Sequence, residues 1–148
     1  MILRKETAAD VEVITEVTTA AFKNHPISNH TEQFIINALR DADALIISLV
    51  AEIDGRVVGH IAFSPVIISD GTKDGYGLGP VSVLPDYQKQ GIGRMLMEEA
   101  ERLLREFGCP KLQLQVRTSN QGVIDFYHKI GYKQDDVVNL GKRLISDE

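Results

Sequence analysis

The dipeptide Asp54-Gly55, set between two runs rich in β-branched residues, constrains the fold more than any other feature of the chain. A tight hairpin turn needs positive φ at both central positions, and Asp-Gly tolerates it, so residues 45–53 and 57–68 are predicted to pair as a β-hairpin. On either side the hydrophobic period changes. Residues 2–4 read as a short first strand. Thr7 and Asp10 form a capping-box pattern, with Asp in place of Glu, opening a helix whose apolar face is Val11, Ile14, Val17 and Ala21. His25-Pro26 ends that helix, because proline cannot continue the hydrogen-bond ladder. Ser28 is a candidate cap for a second helix burying Phe34, Ile35, Ala38 and Leu39.

Beyond the hairpin, a polar turn at residues 69–75 leads to a strand over 78–83. A helix follows over 92–107, with Met95, Leu96, Ala100, Leu103, Leu104 and Phe107 on one side, and Gly108 is placed to end it in the left-handed conformation. Leu112, Leu114 and Val116 alternate as a strand, residues 122–130 are helical, Gly131 stops them, and 132–144 are expected to be extended. The order is β-α-α-β-β-β-α-β-α-β. Hairpin-linked strands followed by two β-α units predict the α/β class: a mixed sheet with helices on both faces. No repeat, low-complexity tract or linker divides the 148 residues, so one domain over residues 1–148 is expected.

The formal net charge is -5, which argues against general nucleic-acid binding, since that needs a basic face. An anionic ligand must therefore be held by a local device. The single cysteine, Cys109, excludes an internal disulfide and fits a reducing compartment. Residues 1–10 lack the apolar core of a signal peptide, and the most apolar stretch, 45–51, is too short to cross a bilayer. The expected location is cytoplasmic, with no membrane or nucleic-acid partner and no metal site.

The local device is legible in Val83-Leu84-Pro85-Asp86-Tyr87-Gln88-Lys89-Gln90-Gly91-Ile92-Gly93-Arg94. A strand ends at a proline, passes a polar loop and enters a helix across two glycines. The first helical turn has unpaired N–H groups and the positive end of the helix dipole, and glycines let a bulky anion reach them. Gly-x-Gly alone would equally serve a tight strand-to-helix turn. No third glycine follows as in dinucleotide folds, and no Gly-Lys-Ser/Thr as in a P-loop.

In full context the segment resembles motif A of the GNAT N-acetyltransferases: a strand, Val-x-Pro, then Gln/Arg-x-x-Gly-x-Gly/Ala opening a helix. Val83, Pro85, Gln88, Gly91 and Gly93 match in register. A second segment, Asn120-Gln121-Gly122-Val123-Ile124-Asp125-Phe126-Tyr127-His128-Lys129-Ile130-Gly131-Tyr132, resembles motif B of the same family, except that Gly122-Val123 replaces the common pattern around alanine. The resemblance covers essentially the whole chain. It implies a GNAT-like fold and an acyltransferase that moves an acetyl group from acetyl-CoA to a primary amine on a small molecule, peptide or protein; a homodimer is compatible with it.

Carried over residue by residue, the resemblance assigns the CoA pyrophosphate to Gln88, Lys89, Gln90, Gly91, Ile92, Gly93 and Arg94, although Lys89 equally suits a solvated surface. It assigns the pantetheine arm to the backbone of Val81, Ser82 and Val83, and an oxyanion-binding N–H to the neighbourhood of Val83. Tyr127 is the implied general acid for the CoA thiolate. Asn120 reads either as a helix cap or as a hydrogen-bond partner of the CoA arm. Phe126 and Cys109 read as packing residues, and His128 as exposed. Many members carry a glutamate about four residues before the motif valine, but Gly79 stands there and Pro80 follows. The base is left among His60, His25, His30, Glu32 and water. The segment 22–32 is where the family's acceptor site varies, and it names no substrate. A non-catalytic acyl-CoA-binding or regulatory module would keep the glycine turn but would not need Tyr127.

Overall fold

A computed structural model describes residues 1–25, 28, 30–65 and 75–145, grouped into two compact units, Met1–Gln115 and Val116–Glu148. The hairpin forms the centre of the first unit. β2 (Ile47–Ile53) and β3 (Arg56–Pro65) pair antiparallel around Asp54 and Gly55, whose φ values of +50° and +78° are what a type I′ turn requires. β1 (Ile2–Lys5) lies antiparallel on β2, β4 (Tyr76–Val83) antiparallel on β3, and β5 (Leu112–Gln113) parallel to β4, giving the order β1-β2-β3-β4-β5. A parallel pair needs a crossover, and α3 (Ile92–Glu106) supplies it. The mixed sheet is the one predicted. The part of the predicted β3 strand beyond Pro65, and most of the 69–75 turn, lie outside the described residues.

Alternation along β3 sets the two faces. A Cβ at Gly59 would stand 3.2 Å from Leu96 and 3.3 Å from Ile92 of α3. The next residue, His60, points the other way, opposite Ser82, whose hydroxyl lies 3.5 Å from that of Thr18 in α1 (Val11–Phe22). Helices α1 and α3 therefore cover opposite faces. On the α1 face, Ile14, Val17, Ile36, Val50 and Val57 cluster; α3 buries Ile92, Leu96, Met97, Ala100 and Leu104. Full burial of each large side chain stabilises by roughly 2 kcal/mol over exposure.

The start of α1 follows its sequence pattern. A 3-10 turn, Ala8–Asp10, leads in, and the Asp10 carboxylate accepts the Thr7 N–H at 2.7 Å and both ends of the Arg4 fork at 2.7 and 3.0 Å. Those bonds, Arg4 first, hold the Asp10 carboxyl well below the usual carboxylate range.

Four expectations are corrected. Helix α2 (Glu32–Asp41) buries Ile36, while Phe34 and Ile35 are 63% and 47% exposed and Ala38 faces solvent. Three consecutive apolar residues, 34–36, leave the phase of the stripe ambiguous from period alone. The cap position is Thr31, because the Ser28 hydroxyl is turned to the Glu32 carboxylate. Phe107 is exposed, as it sits at the cap beyond the last turn of α3, and Met97 takes a core position in its place. Residues 132–144 contain no strand. In the second unit, α4 (Gln121–Lys129) ends as predicted, with Gly131 at φ +102°.

Candidate active site

Strand β4 is irregular where it matters. Ile61 opposes Val81 while Phe63 opposes Leu78, so Ala62 faces two residues, Gly79 and Pro80, in a β-bulge. Past the bulge, the Leu84 N–H bonds the Val58 carbonyl at 2.8 Å. Antiparallel alternation then commits the backbone of Ser82 to His60 and turns the N–H and C=O groups of Val81 and Val83 to the opposite edge. That edge is open. β5 pairs with β4 only at Tyr76 and Gly77, so among the described residues of this unit no strand lies beside β4 from Leu78 onward.

The open edge runs into the glycine turn. After a 3-10 turn, Pro85–Tyr87, the Gln88 amide donates back to the Val83 carbonyl at 2.9 Å, and the Gln90 amide to the Asp86 carbonyl at 3.2 Å. Lys89 and Gly91 are left-handed, at φ +63° and +83°. The first bond of α3 closes from the Met95 N–H to the Gly91 carbonyl at 3.0 Å. The N–H groups of Ile92, Gly93 and Arg94 thus have no intrahelical acceptor, and Gly91 has no side chain to cap them. Such a concave set of donors at the positive end of a helix dipole suits a diphosphate.

Gly93 tests that fit. Its backbone is not left-handed, and a Cβ there would meet nothing closer than the Val81 side chain at 3.9 Å. The fold itself does not ask for glycine, which is about 1 kcal/mol worse than alanine inside a helix. The protein leaves the space beside Gly93 unclaimed, in the same helical turn as the free N–H groups. Lys89 is exposed, and Arg94 is 61% exposed and paired with Glu98 at 2.9 Å.

In the second unit, Asn120 occupies the N-cap position of α4 but makes no side-chain cap bond, so capping does not account for its amide. Tyr127 is 8% exposed, with edge-on contacts to Phe126 and Tyr132 at centroid distances of 5.1 and 5.4 Å. Burial pushes its phenol up to about 12.

Comparison with known proteins decides the family. A family model described as Acetyltransferase (GNAT) family matches residues 11–132. The chain belongs to the GNAT family of acetyltransferases. A Yersinia pestis (strain Pestoides F) acetyltransferase is 41% identical over 101 residues, 68% of this chain and 67% of that protein. The crystal structure of a GNAT family acetyltransferase from Brucella melitensis in complex with acetyl-CoA is 46% identical, covers 90% of this chain and 82% of its own, and has a TM-score of 0.80. A GNAT family N-acetyltransferase from Escherichia coli in complex with CoA is 28% identical over 89% of this chain and 68% of its own, with a TM-score of 0.72.

For a GNAT enzyme, position 79 is informative. A Cβ on Gly79 would stand 3.3 Å from the Ala62 carbonyl oxygen, so a side chain there would crowd the backbone of β3. His60 is fully buried, its Nε2 2.7 Å from the Ser48 hydroxyl and its Nδ1 without a partner among the described residues. Burial, with the charge of Arg40 adding, lowers its imidazole to about 3. His30 is exposed, and His25 meets Phe22 with its ring tilted at 58° and centroids 6.0 Å apart. Glu32 spends one oxygen on Ser28, and its other is buried without a partner among the described residues. His128 is exposed; the Cys109 thiol points at the Lys111 carbonyl, 3.2 Å away. Among the described residues no group of His, Cys, Asp or Glu could hold a metal ion, and no helix is long and apolar enough to cross a membrane.

Sequence reasoning missed two pairs, Ser48 with His60 and Arg56 with Tyr87. Both join residues on different elements, and no local pattern reports such proximity.

Proposed function

We propose that this chain is an N-acetyltransferase that passes an acetyl group from acetyl-CoA directly to a primary amine, working as one catalytic domain in the cytoplasm. The observation that carries the reading is the open edge of β4 leading into the glycine turn. Val81 there offers a main-chain donor and acceptor suited to an amide of the pantetheine arm, Val83 keeps an N–H while its carbonyl takes the Gln88 amide, and the N–H groups of Ile92, Gly93 and Arg94 suit the CoA diphosphate. Bound acetyl-CoA supplies a thioester carbonyl, which the amine lone pair attacks. The Val83 N–H stabilises the developing oxyanion by a preorganised dipole. The C–S bond then breaks and the thiolate receives a hydrogen bond from Tyr127. The Asn120 amide holds the arm.

The acidity of Tyr127 limits its role. Against a thiol near ~8.5, a phenol at about 12 makes full proton transfer uphill by roughly 5 kcal/mol. Tyr127 acts by a hydrogen bond that strengthens as charge grows on sulfur, while solvent takes the proton that the attacking nitrogen sheds and returns one to the thiolate. His60, neutral and enclosed, is a poor base, and Gly79 supplies no carboxylate. The amine therefore has to arrive neutral.

Tyr127→Phe tests the reading. It removes only a hydroxyl, so kcat is expected to fall about a hundredfold or more while the acetyl-CoA dissociation constant moves little. Unchanged kcat under chemistry-limited conditions would make Tyr127 a packing residue.

A further inference from the structure

Of the six arginines in the first unit, five are committed to carboxylates. Arg4 pairs with Asp10 and Glu52, Arg40 with Glu6, Arg94 with Glu98, Arg102 with Glu99 and Glu106, and Arg105 reaches Glu101 at 3.8 Å. Arg56 has no carboxylate partner among the described residues. Its guanidinium carbon instead stands 5.9 Å from the centroid of the Tyr87 ring.

The fold puts this pair beside the glycine turn. Arg56 is the first residue of β3, and two residues on, the Val58 carbonyl takes the Leu84 N–H at 2.8 Å, so the start of β3 runs alongside the chain entering the turn. Tyr87 closes the 3-10 turn and directly precedes Gln88. Seated on an aromatic face, a guanidinium keeps its planar fork of donors while losing rotamer freedom in advance. A phosphate accepts that fork bidentately. In a chain with net charge -5, an exposed guanidinium left free of carboxylates is a local attractor for an anion.

The acetyl-CoA reading supplies the anion, and the inference rests on that reading. If the N–H groups of Ile92, Gly93 and Arg94 take the diphosphate, the remaining phosphate of CoA is the monoester on the ribose 3′-oxygen. We propose that Arg56, seated over Tyr87, binds this 3′-phosphate and makes the enzyme discriminate CoA from its 3′-dephospho form.

Titration calorimetry with CoA and with 3′-dephospho-CoA tests this on the wild type, Arg56→Gln, Tyr87→Leu and Arg105→Gln. The wild type is expected to prefer CoA about tenfold, the range of a charge-assisted hydrogen bond. Arg56→Gln should abolish that preference by weakening CoA alone, and Tyr87→Leu should reduce it. Arg105→Gln removes the same charge elsewhere and should leave the preference intact. A preference that survives Arg56→Gln, or equal weakening toward both compounds, overturns the proposal. A wild type that binds both equally well overturns it too, while the donor reading stands. A wild type that binds neither overturns both.

Discussion

Gly91 and Gly93 belong to one turn, yet different forces select them. Gly91 sits at φ +83°, where any side chain is strained, so a substitution there confounds backbone strain with ligand loss. Gly93 is free of that ambiguity, with ample space for an added methyl and helical neighbours. Gly93→Ala is therefore expected to split two quantities that usually move together. Stability should hold or rise, by at most about 1 kcal/mol, because alanine is the better helix former. Affinity for acetyl-CoA should fall about tenfold or more, as the methyl intrudes on the anion's approach. Thermal unfolding and calorimetry on the same preparation check both signs, and a variant that melts higher yet binds as tightly would make Gly93 a mere turn residue.

At the scale of elements, the site is a departure from regular pairing: a bulge in β4, then an edge that β5 leaves open. Gly79 is the element's tight point. The atom its Cβ would crowd is a backbone oxygen of β3, the central strand of the sheet, which cannot yield cheaply. Gly79→Ala is expected to destabilise by about 1–2 kcal/mol, measured by denaturant unfolding, and Gly79→Glu to lose at least as much stability without raising kcat. A stable, faster Gly79→Glu would show that the bulge has room for a base. Period and turn chemistry made β2, β3, α3 and the end of α4 readable, because Asp54-Gly55, Gly108 and Gly131 are local signals for local geometry. The glycine turn was readable for the same reason. Helix α2 was misphased because 34–36 are all apolar, and only packing of Ile36 under the α1 face chooses among them. The open edge of β4, the neutral burial of His60 and the Arg56–Tyr87 pair depend on which strands become neighbours, and that is written in no contiguous stretch of residues.

Over the whole molecule, two buried groups among the described residues, His60 and Asp10, make stability depend on pH below neutrality, in separate windows. His60 takes up a proton near 6.5 in the unfolded chain but only near 3 when folded, because burial disfavours the imidazolium. Its neutral burial contributes in full above about 6.5, and that contribution is lost as pH falls toward 3, by at most about 1.4 kcal/mol per pH unit. Asp10 is displaced downward from 3.8 by Arg4 and Thr7, so its contribution is present above about 4 and is lost only below that. Between pH 6.5 and 4 the two therefore separate, and the slope there is set by His60. From pH 7.5 to pH 5 the wild type is expected to lose about 2 kcal/mol of unfolding free energy through this group, and His60→Gln, whatever its absolute stability, should lose correspondingly less. The same two proteins distinguish a structural from a catalytic histidine. With His60 neutral across the working range, kcat/KM should rise toward alkaline pH along a single limb that follows the acceptor's own amine, earlier for an α-amino group near ~8 than for an alkyl amine near ~10.4. Both proteins should share that limb. A second limb near neutrality, present with every acceptor in the wild type and absent in His60→Gln, would mean that the ring gains access to the reacting amine, and would make it the base.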